Sequence, residues 1–324
     1  MPAGHTRPGP VTRYIAQTPE GCLRGLSTHL QGLGLTGFGV LVLSPDALLL
    51  RLLAANHWTV VFWRGVLLFL ALGLVMTLLR RGRPVAAFTA VGRWGLVSSV
   101  FYGTASALFV YAITHTAVAN TLVIIAGTPL LAAIMSRVLL GERVAAETWL
   151  ATVVTLAGIA LVVGEGLRRG TWDGDLAAFG VAFLQAGNFT LLRHRKHINM
   201  VPATALGGLW SGLAVLALGL ARPLAMPASD IPVMALLGLV VIPVAFGLIT
   251  TGPRFITAPE VGLLMLLETV LGPLWVWLAL GERAGAQALL GGALVVLTLG
   301  VYFAVRLRRQ GVRARRPAGE PGPG

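Results

Sequence analysis

The sequence predicts an all-α integral membrane protein of ten transmembrane helices, arranged as two inverted five-helix repeats. Three observations lead there. Of the 324 residues, 56% are hydrophobic and only 11% are charged, with a mean hydropathy of +0.81, whereas an ordinary soluble domain is about 25% charged. Apolar runs of roughly 20 residues, the length needed to cross a hydrocarbon core about 30 Å thick, recur between short Arg, Gly and Pro punctuation. Finally, Leu140, Gly141, Glu142, Arg143 returns as Leu280, Gly281, Glu282, Arg283, each copy closing an apolar run. A signature repeated at that spacing implies a duplicated unit, a common construction in transporters. The long Leu, Val and Ala runs lack the ten-residue alternation of a membrane barrel, which leaves helices as the spanning unit.

Residues 1–28 carry Pro2, Pro8, Pro10 and Pro19 among Arg7, Arg13 and Arg24, with no apolar core for a signal peptide. They read as a disordered, basic, cytoplasmic tail. The first repeat covers 29–164, the second 173–306, and 307–324 reads as a disordered basic tail. The first span, about 29–43, is dense in Gly32, Gly34, Gly37 and Gly39, which suits close helix packing. Ser44, Pro45 and Asp46 then read as a cap and first turn of a short loop helix carrying Arg51.

Span two, about 58–79, holds Arg64 two turns from its start. Such an Arg either snorkels to the headgroups or takes a role in substrate or gate pairing. Span three, about 94–113, carries Ser98, Ser99, Tyr102, Thr104 and Ser106, whose hydroxyls bond their own helix or line a cavity. Span four, about 118–140, holds Asn120, Thr128 and Pro129, and span five is about 148–163. The loop 164–175 leads to span six, about 176–192, where Gln185 and Asn188 share a face. Basic residues from Arg193 to His197 follow and read as a cytoplasmic stop. Spans seven (about 202–220), eight (231–250), nine (258–280) and ten (286–305) complete the set, and Gly208 with Gly212 forms a GxxxG packing pattern.

The leading functional candidate is Glu268, a carboxylate near the middle of an apolar span. At a bilayer centre an acidic side chain costs at least roughly 2.5 to 3.5 kcal/mol, so it normally faces a partner, a polar interior or a water-filled path. Shifting by one repeat places Asn120 over Glu260 and Thr128 over Glu268, so the duplicated position is polar in both halves. Pro129 breaks its helix by removing one backbone bond, and Gly272 with Pro273 marks the matching break in the second half. Trp275, at i+7 from Glu268, lies on the same face and either stacks on substrate or packs on lipid. Glu260 reads as a partner of Arg254 or of the helix dipole, and His115 as a solvated loop residue.

The formal charge of +13 does not mark a nucleic-acid surface, because the Arg residues sit at span ends and tails. With both termini cytoplasmic, Arg7, Arg13, Arg24, Arg80, Arg81, Arg83, Arg93, Arg143, Arg193, Arg195, Lys196, Arg254 and the basic C-terminal tail fall inside. Only Arg51, Arg168, Arg169, Arg222 and Arg283 fall outside, which sets the orientation. Five spans per repeat then turn the second copy upside down relative to the first. Cys22 is the single cysteine, so no disulfide or thiolate metal cluster forms within the chain. No metal or other cofactor is expected. The near-exclusive use of Arg over Lys suits a GC-rich bacterial genome, and the expected location is the bacterial cytoplasmic (inner) membrane.

Two strings carry a family resemblance: ANTLVIIAGTPLLAAIMSRVLLGERV, from Ala119 to Val144, and APEVGLLMLLETVLGPLWVWLALGER, from Ala258 to Arg283. With ten spans in two inverted halves, the chain resembles the EamA-type members of the drug/metabolite transporter (DMT) superfamily over about residues 30 to 306. Arg64, in the string FWRG, is similar to an Arg that family often carries early in its second helix. The chain departs from the family where a Glu-Pro pair is common, since Thr269 follows Glu268. The resemblance implies a secondary active transporter moving a small polar metabolite, an amino acid or a drug by alternating access, commonly outward. The residues add a more specific expectation, that Glu268 binds a cationic substrate group or exchanges a proton for it. Arg64, Tyr102, Asn120, Thr128, Gln185 and Asn188 complete the candidate site. An intramembrane enzyme would want a clustered acid, base or nucleophile that the scattered His residues and Cys22 do not supply. A nonenzymatic scaffold would need neither the mid-span acid nor the duplication. Substrate identity, flux direction, coupling ion and oligomeric state are written in no motif.

Overall fold

The computed structural model of the protein describes residues 28–79, 84–141 and 172–281 continuously, with scattered positions between 149 and 157 and between 290 and 301. Both tails, Arg80, Arg81, Arg83, most of spans five and ten, the loop from 164 to 171, and the Glu and Arg of both L-G-E-R copies lie outside the described residues. The described secondary structure is helical. In chain order the helices are α1 (Thr28–Leu43), α2 (Asp46–Arg51), α3 (His57–Leu79), α4 (Pro84–Ala90), α5 (Gly92–His115), α6 (Val118–Ile125), α7 (Thr128–Leu140), α8 (Trp172–His194), α9 (Val201–Ala217), α10 (Ile231–Leu236), α11 (Ile242–Thr251) and α12 (Ala258–Leu280). Seven described stretches are long and apolar enough to cross a bilayer, and α9 is a shorter apolar helix. They fall where spans one to four and six to nine were expected.

The two halves interlock rather than sit side by side. From the first half, α3 packs along α9 of the second and α5 along both α8 and α9, while α1 packs along α11 and α12. Close approach depends on missing side chains. A Cβ at Gly208 would stand 2.9 Å from the carbonyl oxygen of Gly65 on α3, and one at Gly212 would stand 2.9 Å from that of Phe62. Without a hydrophobic drive between helices in lipid, such backbone contact lets van der Waals packing hold them together. The GxxxG pattern therefore does here what its spacing suggests.

Both copies of the repeated L-G-E-R signature end their helices the same way. Gly141 (φ 65°) closes α7 and Gly281 (φ 70°) closes α12, each in the left-handed conformation that a glycine adopts without steric cost. Between α10 and α11, residues Leu237–Val241 form a wider π turn ahead of Pro243. The wider turn accommodates a proline whose ring would clash with the preceding turn of a regular helix.

Four local expectations change. Ser44 does not cap α2, because its hydroxyl donates to the Leu41 carbonyl (2.8 Å), and the α2 segment is no surface loop: Asp46, Ala47 and Leu50 are buried. A Ser-Pro-Asp string suits a helix start, but the buried environment recruits Asp46 elsewhere. Gly272 and Pro273 do not break α12, which runs continuously from Ala258 to Leu280. A proline removes one internal bond, and packed neighbours in a bundle allow the helix to continue past it. Span six begins at Trp172 instead of Leu176, so Asp173 and Asp175 occupy the first turn of α8, where the helix dipole favours acids. His115 is not a solvated loop residue. It ends α5 half-buried and stacks on Tyr111, one turn back, with centroids 3.8 Å apart.

Candidate functional site

Where Pro129 was expected to break its helix, the chain is interrupted between α6 and α7 at Ala126 and Gly127. Thr128 closes that gap by donating to the Ile125 carbonyl (2.6 Å). The equivalent segment of the second half, α12, lies across this break: Gly262 abuts Pro129, Gly272 abuts Leu122, and the Thr269 hydroxyl donates to the Leu122 carbonyl (3.3 Å). The two copies of one ancestral segment thus pack on each other. That contact fixes the rotation of α12 and points Glu268 into a cavity between the halves.

Asp46, Arg64, Tyr102, Gln185, Asn188 and Glu268 all line that cavity, together with Ser106, Thr250 and apolar side chains from α1, α5, α6, α8, α11 and α12. It offers about 30 Å³ to the centres of water molecules, enough for about two waters at the 10 to 15 Å³ each requires. Glu268 is 5% exposed. Among the described residues its carboxylate has no hydrogen-bond or ion-pair partner, although Asp46 and Arg64 lie within electrostatic reach.

Arg64 does not snorkel. It is 3% exposed and grips Asp46, itself 1% exposed, through both terminal nitrogens at 2.5 and 2.7 Å. Its guanidinium also lies over the Phe109 ring, 5.6 Å from the centroid. A fork-to-fork pair satisfies two donors and two acceptors at once, which is what a buried charge pair requires. On α8, Asn188 accepts a bond from Ser98 (2.7 Å), whereas the Gln185 carbonyl oxygen is buried with no partner among the described residues. The Tyr102 hydroxyl is likewise buried and unpartnered, its ring edge-on to Phe246 at 4.9 Å.

The other candidates lie elsewhere. Asn120 and Thr128 are buried in the α6–α7 segment without lining the cavity. Trp275 is 40% exposed and donates its indole N–H to the Ser44 hydroxyl (3.0 Å), so it braces the turn between α1 and α2 instead of walling the cavity. Glu260 completes a capping box with Thr257 and lies 3.8 Å from His29, serving the start of α12. Arg254 donates instead to the Lys196 carbonyl. No group of three or more His, Cys, Asp or Glu side chains capable of holding a metal ion occurs among the described residues.

Asp46 is the site residue that the sequence did not single out. Its signal was faint: an acid directly after an apolar span, in a stretch whose other residues, Ala47 to Leu50, are all apolar.

A two-repeat transporter family accounts for this duplicated, membrane-spanning arrangement. The model of the EamA-like transporter family matches residues 47–164 and again 172–305. The chain belongs to that family, and hence to the drug/metabolite transporter superfamily. No curated protein matches the chain. A solved structure titled only as the crystal structure of a protein is similar at a TM-score of 0.68 and 18% identity, over 86% of this chain and 98% of the other. That likeness shows a common fold. The EamA-like chain is therefore a multi-pass membrane protein of transporter type, and its two matched repeats meet at the Glu268 cavity.

Proposed function

We propose that this EamA-like protein is a secondary active transporter that moves a small polar metabolite, amino acid or drug across the bacterial inner membrane, in the direction of export. Ten spans in two inverted halves, with both termini cytoplasmic, rock about the cavity and expose it alternately to each side. The observation that carries this reading is Glu268, a buried carboxylate with no partner among the described residues, facing a cavity where the two halves meet. A buried acid with no partner is costly to keep, and a group that binds a substrate cation or a proton in turn accounts for it.

Glu268 serves as the coupling group in this scheme. Its carboxylate either holds a proton or holds substrate, and the closed form is permitted only when it holds one of them. The test is flux in vesicles reconstituted with the purified chain under an imposed pH gradient. Glu268→Gln is expected to abolish gradient-driven transport while leaving substrate exchange measurable. Gradient-driven uptake that persists unchanged in the variant removes the coupling role, and a reconstituted chain that carries no solute at all removes the transporter reading.

A further inference from the structure

The polar groups around the cavity divide into two sets. Arg64 and Asp46 are spent on each other, and their charges cancel. Of the rest, Glu268 and the Gln185 carbonyl oxygen are acceptors without partners among the described residues, and the Tyr102 hydroxyl stands unpartnered beside them. Asn188 is already engaged by Ser98. Arg64 Nε remains an unpartnered donor, but its charge is already matched by Asp46. The charged and titratable groups that face Glu268 are Asp46 from α2, Arg64 from α3 and Tyr102 from α5, while α1, α8 and α11 present only uncharged residues to the cavity. On its own helix the nearest acid, Glu260, is held at the N-terminal cap. With Glu268 ionised the cavity thus carries one net negative charge, and with Glu268 protonated it carries none. Apart from Ser106 and Thr250, the latter paired with Thr204, the remaining walls are apolar and aromatic, including Phe101, Phe109 and Phe246.

We infer that the cavity takes a small organic amine as its ammonium ion, the apolar or aromatic remainder lying against the phenylalanines, and that Asp46 sets this charge preference by retaining Arg64. An anion would meet the Glu268 carboxylate and a guanidinium already occupied on both arms. An ammonium finds three oxygen acceptors and an aromatic wall that favours cations. Releasing Arg64 from Asp46 would let the guanidinium neutralise Glu268 and remove the preference for a cation. The inference deepens the transporter reading by naming its substrate class, and it rests on that reading for how the amine reaches the cavity.

The test is calorimetric titration of the purified full-length chain in detergent with three probes of similar shape: 2-phenylethylammonium, 2-phenylethanol and 3-phenylpropionate. The ammonium binds, and the alcohol and carboxylate do not. Glu268→Gln lowers ammonium affinity about tenfold or more. Asp46→Asn lowers it similarly, and adding Arg64→Gln to Asp46→Asn restores it by leaving Glu268 as the one charge, a rescue that a merely structural role for Asp46 would not produce. Should Asp46→Asn fail to purify, Gln185→Leu keeps the ion pair intact and is expected to weaken ammonium binding several-fold without admitting the carboxylate. Carboxylate binding equal to ammonium binding in the unaltered protein, no ammonium binding, or ammonium binding untouched by Glu268→Gln overturns the inference. Ammonium binding without any flux in vesicles would instead sink the transporter reading alone, and gradient-driven flux of an anion would sink this inference alone.

Discussion

Arg64 on α3 holds Asp46 at the start of α2 by both guanidinium arms, at 2.5 and 2.7 Å. Both partners are buried, so removing either one strands a charge inside the bundle. Loss of one member of such a pair costs about 3–5 kcal/mol. Arg64→Ala and Asp46→Ala are therefore expected to lower thermal stability in detergent sharply. The double variant Arg64→Leu with Asp46→Leu should recover much of that loss, because no charge is left unpaired. Arg64→Lys should fall between, since an ammonium cannot bridge both carboxylate oxygens. A thermal-melt series read by intrinsic fluorescence checks the ranking, and equal melting points for the single and double variants would contradict it.

The α3–α9 crossing makes a steric prediction. A Cβ placed on Gly65 falls on the Gly208 carbonyl, whereas one on Gly73, two turns along the same helix, meets nothing within 4 Å. Gly65→Val is expected to destabilise by about 1–3 kcal/mol or more through forced backbone separation. Gly73→Ala should be neutral or gain about 0.5–1 kcal/mol from reduced chain entropy. The yield of monodisperse protein after size exclusion distinguishes the two.

How much of this could be read beforehand depends on whether the physics was local. The spans were legible because a bilayer imposes a fixed apolar length on each helix, and the placement of α1, α3, α5 and α12 follows it closely. The mid-span acid at Glu268 was legible because lipid penalises it wherever it lies. Asp46 was missed because its partner lies 18 residues away around a turn, a separation with no helical periodicity to reveal it. Pro273 misled for the opposite reason. A local rule about helix breaking gave way to the packing around α12, so the break appears beside Pro129 alone. Trp275 shared a face with Glu268 by spacing, yet tertiary packing drew it to Ser44. Gln185 and Asn188 were rightly placed one turn apart on α8, but spacing could not say which one finds a partner.

The repeated signature predicts equal costs at two distant positions. Gly141 and Gly281 both adopt left-handed backbone at a helix end, and no described residue stands within 4 Å of where a side chain would start. The penalty for alanine there is conformational alone, roughly 1–2 kcal/mol at each site. Gly141→Ala and Gly281→Ala should lower the melting temperature by similar amounts, and the pair should act additively because the sites are independent. Asn at either position should cost less, as its side chain tolerates this conformation better than alanine does. Unequal losses would mean that the two copies of the motif have diverged in role.

Gln185 and Asn188 separate binding from folding on a single helix. Asn188 accepts the Ser98 hydroxyl inside the α5–α8 contact, so Asn188→Leu strands a buried donor and is expected to cost about 1–3 kcal/mol of stability. Gln185 has an unsatisfied carbonyl oxygen facing the cavity. Replacing it with Leu removes a desolvated acceptor without breaking any bond of the described structure, so stability should hold or rise slightly. Substrate affinity should move the other way, falling in Gln185→Leu as one of the cavity's free acceptors disappears. The discriminating measurement is a melting temperature and a binding isotherm on each variant. A Gln185→Leu protein that melts several degrees lower with affinity intact would assign Gln185 to the scaffold of the bundle instead of to the site.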